Sequence, residues 1–63
     1  MKNITNGMTF WDESNGRYLT TDGIGRDPRV FCCIVEEFNE DGELEITGRQ
    51  LFTVNGLKKF KEV

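Results

Sequence analysis

The sequence predicts a small all-β domain. Glycine follows Asn or Asp at short intervals, in Asn6-Gly7, Asn15-Gly16, Asp22-Gly23, Asp41-Gly42 and Asn55-Gly56. These dipeptides supply the positive φ angles that tight turns need. The runs between them are short and rich in β-branched and aromatic residues, which suit a pleated, half-buried surface. Glu43 to Thr47 (ELEIT) alternates polar and apolar, the mark of a strand with one face in water.

The elements follow in order. Met8 to Asp12 (MTFWD) is the first strand, and Glu13 to Gly16 turns the chain. Arg17 to Asp22 (RYLTTD) returns as the second strand and closes a hairpin. Gly23 to Arg29 (GIGRDPR) is an exposed connecting loop, because two glycines and one proline remove both helix and ladder bonding. Val30 to Phe38 is the third strand, and Asn39 to Gly42 is a hairpin turn. Glu43 to Thr47 is the fourth strand. Gly48 interrupts it as a bulge or bend, and Arg49 to Thr53 resumes it or forms a fifth strand. Thr53 caps a short helical turn, with Val54, Leu57 and Phe60 spaced three apart along one face. Lys61 to Val63 returns as a short edge strand.

This order resembles the small SH3-like barrels, including the Tudor and KOW types. Three features carry the resemblance: the hairpin of 8–12 with 17–22, the hairpin of 30–38 with 43–47, and the turn at Thr53 to Leu57. It covers nearly the whole chain and rests on strand order and spacing. The resemblance implies a five-stranded barrel that binds partners with aromatic residues near its loops. If Val54 to Lys61 instead forms a continuous helix, the alternative is an α+β fold, a four-stranded antiparallel meander with a C-terminal helix. Either way, the 63 residues make a single domain, 1–63.

Composition bounds the function. A domain of this length buries only ~60% of the surface its unfolded chain exposes, which leaves no room for a deep pocket between two lobes. The chain carries 11 acidic and 8 basic residues, a net charge of −3, so it lacks the basic excess of most nucleic-acid binders. No run approaches the ~20 apolar residues of a membrane span. The start, MKNITNGMTF, has no apolar signal-like segment, so the expected location is cytoplasmic.

The chemistry-bearing residues are few. Cys32 and Cys33 are adjacent, and the chain has no histidine. Consecutive strand residues point to opposite faces, so the two thiols do not converge on one metal. No histidine serves them as a base, so they read as small buried hydrophobes. The carboxylates of Glu36, Glu37, Glu40, Asp41, Glu43 and Glu45 gather around the second hairpin, where they read as a solvated acidic edge. No catalytic residue, metal site or cofactor is expected.

The aromatics point to binding. If Phe10 and Leu19 face inward, Trp11 and Tyr18 share the outer face. There they either contact a partner, with Arg17 beside them, or pack under the 23–29 loop. Arg26 and Arg29 on that loop extend the candidate binding set. Val30 to Val35 is apolar on both faces. One face must be the core and the other needs cover, and Phe31, Cys33 and Val35 are the candidate interface with a second subunit. The expected function is a non-catalytic protein-interaction or self-associating module, with a protein partner or homo-oligomer. The alternative is a nucleic-acid-binding accessory domain, if the arginines and Lys58, Lys59 and Lys61 converge on one face. A small enzyme is the third reading.

Overall fold

The computed structural model describes residues 3–63. Five strands form one antiparallel sheet: β1 (Thr9–Asp12), β2 (Arg17–Ile24), β3 (Val30–Phe38), β4 (Leu44–Thr53) and β5 (Lys61–Glu62). Their order across the sheet is β4-β3-β2-β1-β5. One short helix, α1 (Val54–Leu57), lies between β4 and β5. The all-β expectation holds. The α+β alternative fails because α1 stops after four residues and the chain returns to β1 as β5.

The expected barrel does not close: β4 and β5 are the two edges of an open sheet. Closure requires strands long enough to tilt and stagger around a common axis. Here β1 has four residues and β5 only two.

Four of the five Asn/Asp-Gly pairs form positive-φ turns as expected, while Gly56 lies inside α1 without a positive φ. Gly7, Gly16, Gly23 and Gly42 all have positive φ. At the second hairpin, the Asn39 side-chain oxygen accepts hydrogen bonds from the backbone N–H groups of Asp41 and Glu43, both at 2.9 Å. This Asx arrangement satisfies donors that the turn would otherwise leave open. The second strand runs two residues further than expected, to Ile24, with an irregularity in its pairing between Thr21 and Ile24. Leu44–Thr53 forms one strand rather than two. Its bulge lies where expected: Val35 pairs with Gly48 and Glu36 with Ile46, leaving Thr47 as the extra residue.

The core sits on one face of the sheet. Phe10, Leu19, Phe31, Cys33 and Val35 point into it from β1, β2 and β3, and Leu57 plugs it from α1. Ile4, Met8, Phe52, Val54 and Phe60 pack around them, with Phe60 edge-on to Phe52 at 5.9 Å. Helix α1 is short but well anchored. The Thr53 hydroxyl accepts from the Gly56 N–H at 3.0 Å, and the Val54 N–H donates to the Arg29 carbonyl at 2.8 Å.

The segment before β1 is strapped across β2 by Thr21, whose side chain is fully buried. The Thr21 hydroxyl donates to the Thr5 carbonyl at 2.6 Å and accepts from the Met8 N–H at 3.0 Å. Backbone bonds link Gly7 to Thr21 and Thr21 to Met8, and the Gly23 N–H donates to the Asn6 side chain. The strap holds Ile4 and Met8 over the core. Thr21→Val keeps the shape but leaves a buried donor and acceptor without their partner. It is expected to lower stability by ~1–3 kcal/mol in urea unfolding, whereas Thr21→Ser retains most of it. Equal midpoints for Val and wild type would contradict this role.

Candidate functional site

Strand alternation divides the side chains between two faces. On the face away from the core, cross-strand pairing sets out rows of neighbours. Lys61, Trp11, Tyr18, Glu36 and Ile46 form one row, and Thr9, Thr20, Ile34 and Arg49 form the next. Cys32 lies opposite Leu51, and Phe38 opposite Leu44. Phe38, Leu44, Ile46 and Leu51 remain 51%, 44%, 67% and 63% exposed. A solvated sheet face should be polar, and much of this one is apolar.

Trp11 and Tyr18 stand together on this outer face, as alternation predicts, and both are half-buried. Their rings are 4.7 Å apart and tilted by 49°. Tyr18 also meets Phe38 edge-on at 6.2 Å. These three rings shield one another and leave an aromatic strip across β1, β2 and β3. Trp11 does not close the sheet under the 23–29 loop. It lies beside the Glu13 to Gly16 turn, at the opposite end of β2. An open cleft of about 600 Å³ there is lined by Trp11, Glu13, Ser14 and Lys59 to Lys61.

Arg17 does not join Trp11 and Tyr18. It has the same alternation as Leu19, so its side chain goes to the core face. Its Nε donates to the buried Asp12 carboxylate at 2.9 Å, and its guanidinium lies 6.0 Å from the centre of the Phe52 ring. Asn15 also donates to Asp12, at 2.8 Å. Burial opposes the Asp12 charge, but the hydrogen bonds from Asn15 and Arg17 outweigh it and hold the carboxyl below its usual range. This cluster closes the first hairpin at the edge of the core.

The two loop arginines also lie apart from the aromatic pair. Asp27 holds the Arg29 guanidinium: its two carboxylate oxygens accept from Arg29 Nε and Nη2 at 3.1 and 2.8 Å, and one of them also accepts from the Arg29 N–H at 2.9 Å. These bonds lower the Asp27 carboxyl and raise the Arg29 guanidinium. The connecting loop is therefore internally organised, with Gly25 bonded to Val30 and Val30 to Asp27. Arg26 is exposed and has no ion pair among the described residues. The structure thus brings Trp11 and Tyr18 together and keeps Arg17, Arg26 and Arg29 away from them.

Phe31, Cys33 and Val35 do not form an outward-facing interface. All three are buried in this chain's own core, where Leu19 pairs with Val35 and Phe52 with Phe31. The face that needs cover is the opposite one. The cysteines divide accordingly. Cys33 is buried, and burial together with the neighbouring Cys32 pushes its thiol up to about 11. Cys32 is half-buried on the outer face.

In comparisons with known proteins, no family model, curated protein or solved structure matches the chain.

The Asp12 cluster gives a pH signature. The unfolded carboxyl titrates near its ordinary value of ~3.9 and the folded one lower, so the unfolded state binds the proton first as pH falls. The stabilisation is complete above the unfolded value and is lost as pH drops through the folded one. Asp12→Asn should cost ~1–3 kcal/mol at neutral pH by replacing the charged acceptor of Arg17 and Asn15 with a neutral amide. It should also flatten the fall in stability below about pH 4, measured by thermal unfolding across a pH series. An unchanged acid profile would remove Asp12 from this role.

Proposed function

We propose that the chain is a non-catalytic protein-interaction module that uses the outer face of its sheet as the docking surface. One observation carries this reading: four large apolar side chains of that face, Phe38, Leu44, Ile46 and Leu51, are exposed, and Phe38, with Leu44 opposite it, continues the ring contacts of Trp11 and Tyr18. Apolar residues scattered singly over a surface need no explanation, but a contiguous strip does. Interfaces draw on such aromatic and aliphatic anchors. The three long meandering strands, the helical turn and the last strand beside β1 support an SH3-like reading of the topology, in opened form.

Local pairing weighs against the nucleic-acid alternative. Arg17, Arg29 and Arg49 each have a carboxylate within 2.9 Å, from Asp12, Asp27 and Asp22. Phosphate binding would have to compete with these contacts.

Photocrosslinking tests the proposal. Phe38 is replaced by the photoreactive residue benzoylphenylalanine, with Asn55 replaced as a control away from the outer face. Irradiation in living cells should give a protein adduct from position 38 and none from position 55. Failure to crosslink from position 38 overturns the proposal. So does an adduct that disappears on nuclease treatment, which would favour nucleic acid instead.

A further inference from the structure

Size, shape and charge together narrow what can cover the outer face. A compact monomer of 7.3 kDa is expected to expose ~4,200 Å². This chain exposes 4569 Å². Its radius of gyration is 11.5 Å, against ~10.6 Å for a compact domain of this length. Both departures have the same sign, and the molecule is a slab of 36 × 22 × 17 Å. Ten residues of β4 span ~33 Å, and five strands side by side span ~20 Å. These dimensions match the two longer extents, so the broad side of the slab is the sheet.

That side fits within a rectangle of about 800 Å², the product of the two longer extents. A standard protein interface buries ~800 Å² per partner. Stable β domains are usually two packed layers. Here the core face has its cover from the N-terminal strap and the segment around α1, while the outer face has none among the described residues.

Charge narrows the choice. The chain carries −3 overall. Its outer face is balanced, with Arg49 bonded to Asp22 at 2.9 Å and with Glu36 and Lys61 in one cross-strand row. A strongly charged partner finds no net field there. An identical face meets no net repulsion and brings an equal area of the same apolar strip. Two-fold self-pairing is also the commonest way for soluble chains to assemble.

We infer that the outer face is covered by a second copy of this chain, stacked sheet on sheet across a two-fold axis. Tyr18, Cys32, Ile34, Ile46 and Leu51 then form the inner layer of a two-layer sandwich. This inference rests on the docking-surface reading above and names the partner.

Cys32 reports on the arrangement, because it lies within the covered area. Cys33 is buried and its thiol pushed up to about 11, so it stays silent towards alkylating reagents. The test combines sedimentation of the full chain over a concentration series with iodoacetamide labelling of Cys32, followed by mass spectrometry. A dimer is expected. When nine-tenths of the chain is paired, Cys32 should label ~10-fold more slowly than at high dilution, because only the free tenth reacts. Leu51→Arg and, separately, Ile46→Arg should each give a monomer with wild-type circular dichroism and fast labelling at every concentration. Both positions are more than half exposed, so two folded variants are expected.

A chain that stays monomeric at all concentrations overturns the inference. So does a dimer in which Cys32 labels as fast as in the monomer, since pairing along the free edge of β4 leaves Cys32 uncovered. A monomeric chain that still crosslinks to a different protein from position 38 removes the second copy and retains the docking surface. Absence of any adduct removes both.

Discussion

A chain of this size has enough apolar side chains outside its sheet to cover only one face. Everything else in the structure follows from that limit. Leu57, Phe60, Ile4 and Met8 all go to the same side, over Phe10, Leu19, Phe31, Cys33 and Val35. The side chains pointing the other way must shield one another or stay wet. Trp11 and Tyr18 do the first by packing against each other across neighbouring strands, and in the single chain Ile46 and Leu51 do the second. A larger domain would place a second layer over them.

The thin cover depends on polar devices at its margins. Thr21 ties the N-terminal strap to the centre of the sheet, and Thr53 starts the one helical turn that delivers Leu57. Asp12, Asn15 and Arg17 close the first hairpin with a buried carboxylate whose charge is met on two sides. Each device satisfies polar atoms that the small core would otherwise strand, and each fixes an element too short to hold itself. Helix α1 has four residues, far below the length at which a helix is stable alone.

Much of the fold was legible because turn chemistry and alternation are local. The dipeptides at Gly7, Gly16, Gly23 and Gly42 marked positive-φ positions, and Phe10 and Leu19 against Trp11 and Tyr18 assigned two strands to their faces. Strand β3 was ambiguous for a physical reason. Val30, Cys32 and Ile34 are as apolar as Phe31, Cys33 and Val35, so its own pattern cannot say which set is inside. The answer lies in register, through Leu19 opposite Val35 and Phe52 opposite Phe31, and register depends on distant pairing. Arg17 was misplaced although the signal was present: it alternates with Leu19 and not with Tyr18. The Asp12 cluster left little trace, because only the folded hairpin brings Asn15 and Arg17 onto that carboxylate.

The bulge at Thr47 has a consequence for how β4 can vary in length. In a regular strand, positions 46 and 51 differ by an odd number and must face opposite ways. The extra residue changes the parity, so Leu44 and Ile46 come onto the same side as Arg49 and Leu51. Deleting Thr47 would remove the bulge and leave Ile46 and Arg49 two residues apart, so both halves keep their faces in a regular strand. Removing Gly48 as well would make them adjacent and turn one half against the other. A one-residue change in the 39–43 hairpin tip sits outside the pairing and leaves it untouched. The middle of β4 can therefore lose its one extra residue but not two, while the turn that precedes it is free of that rule.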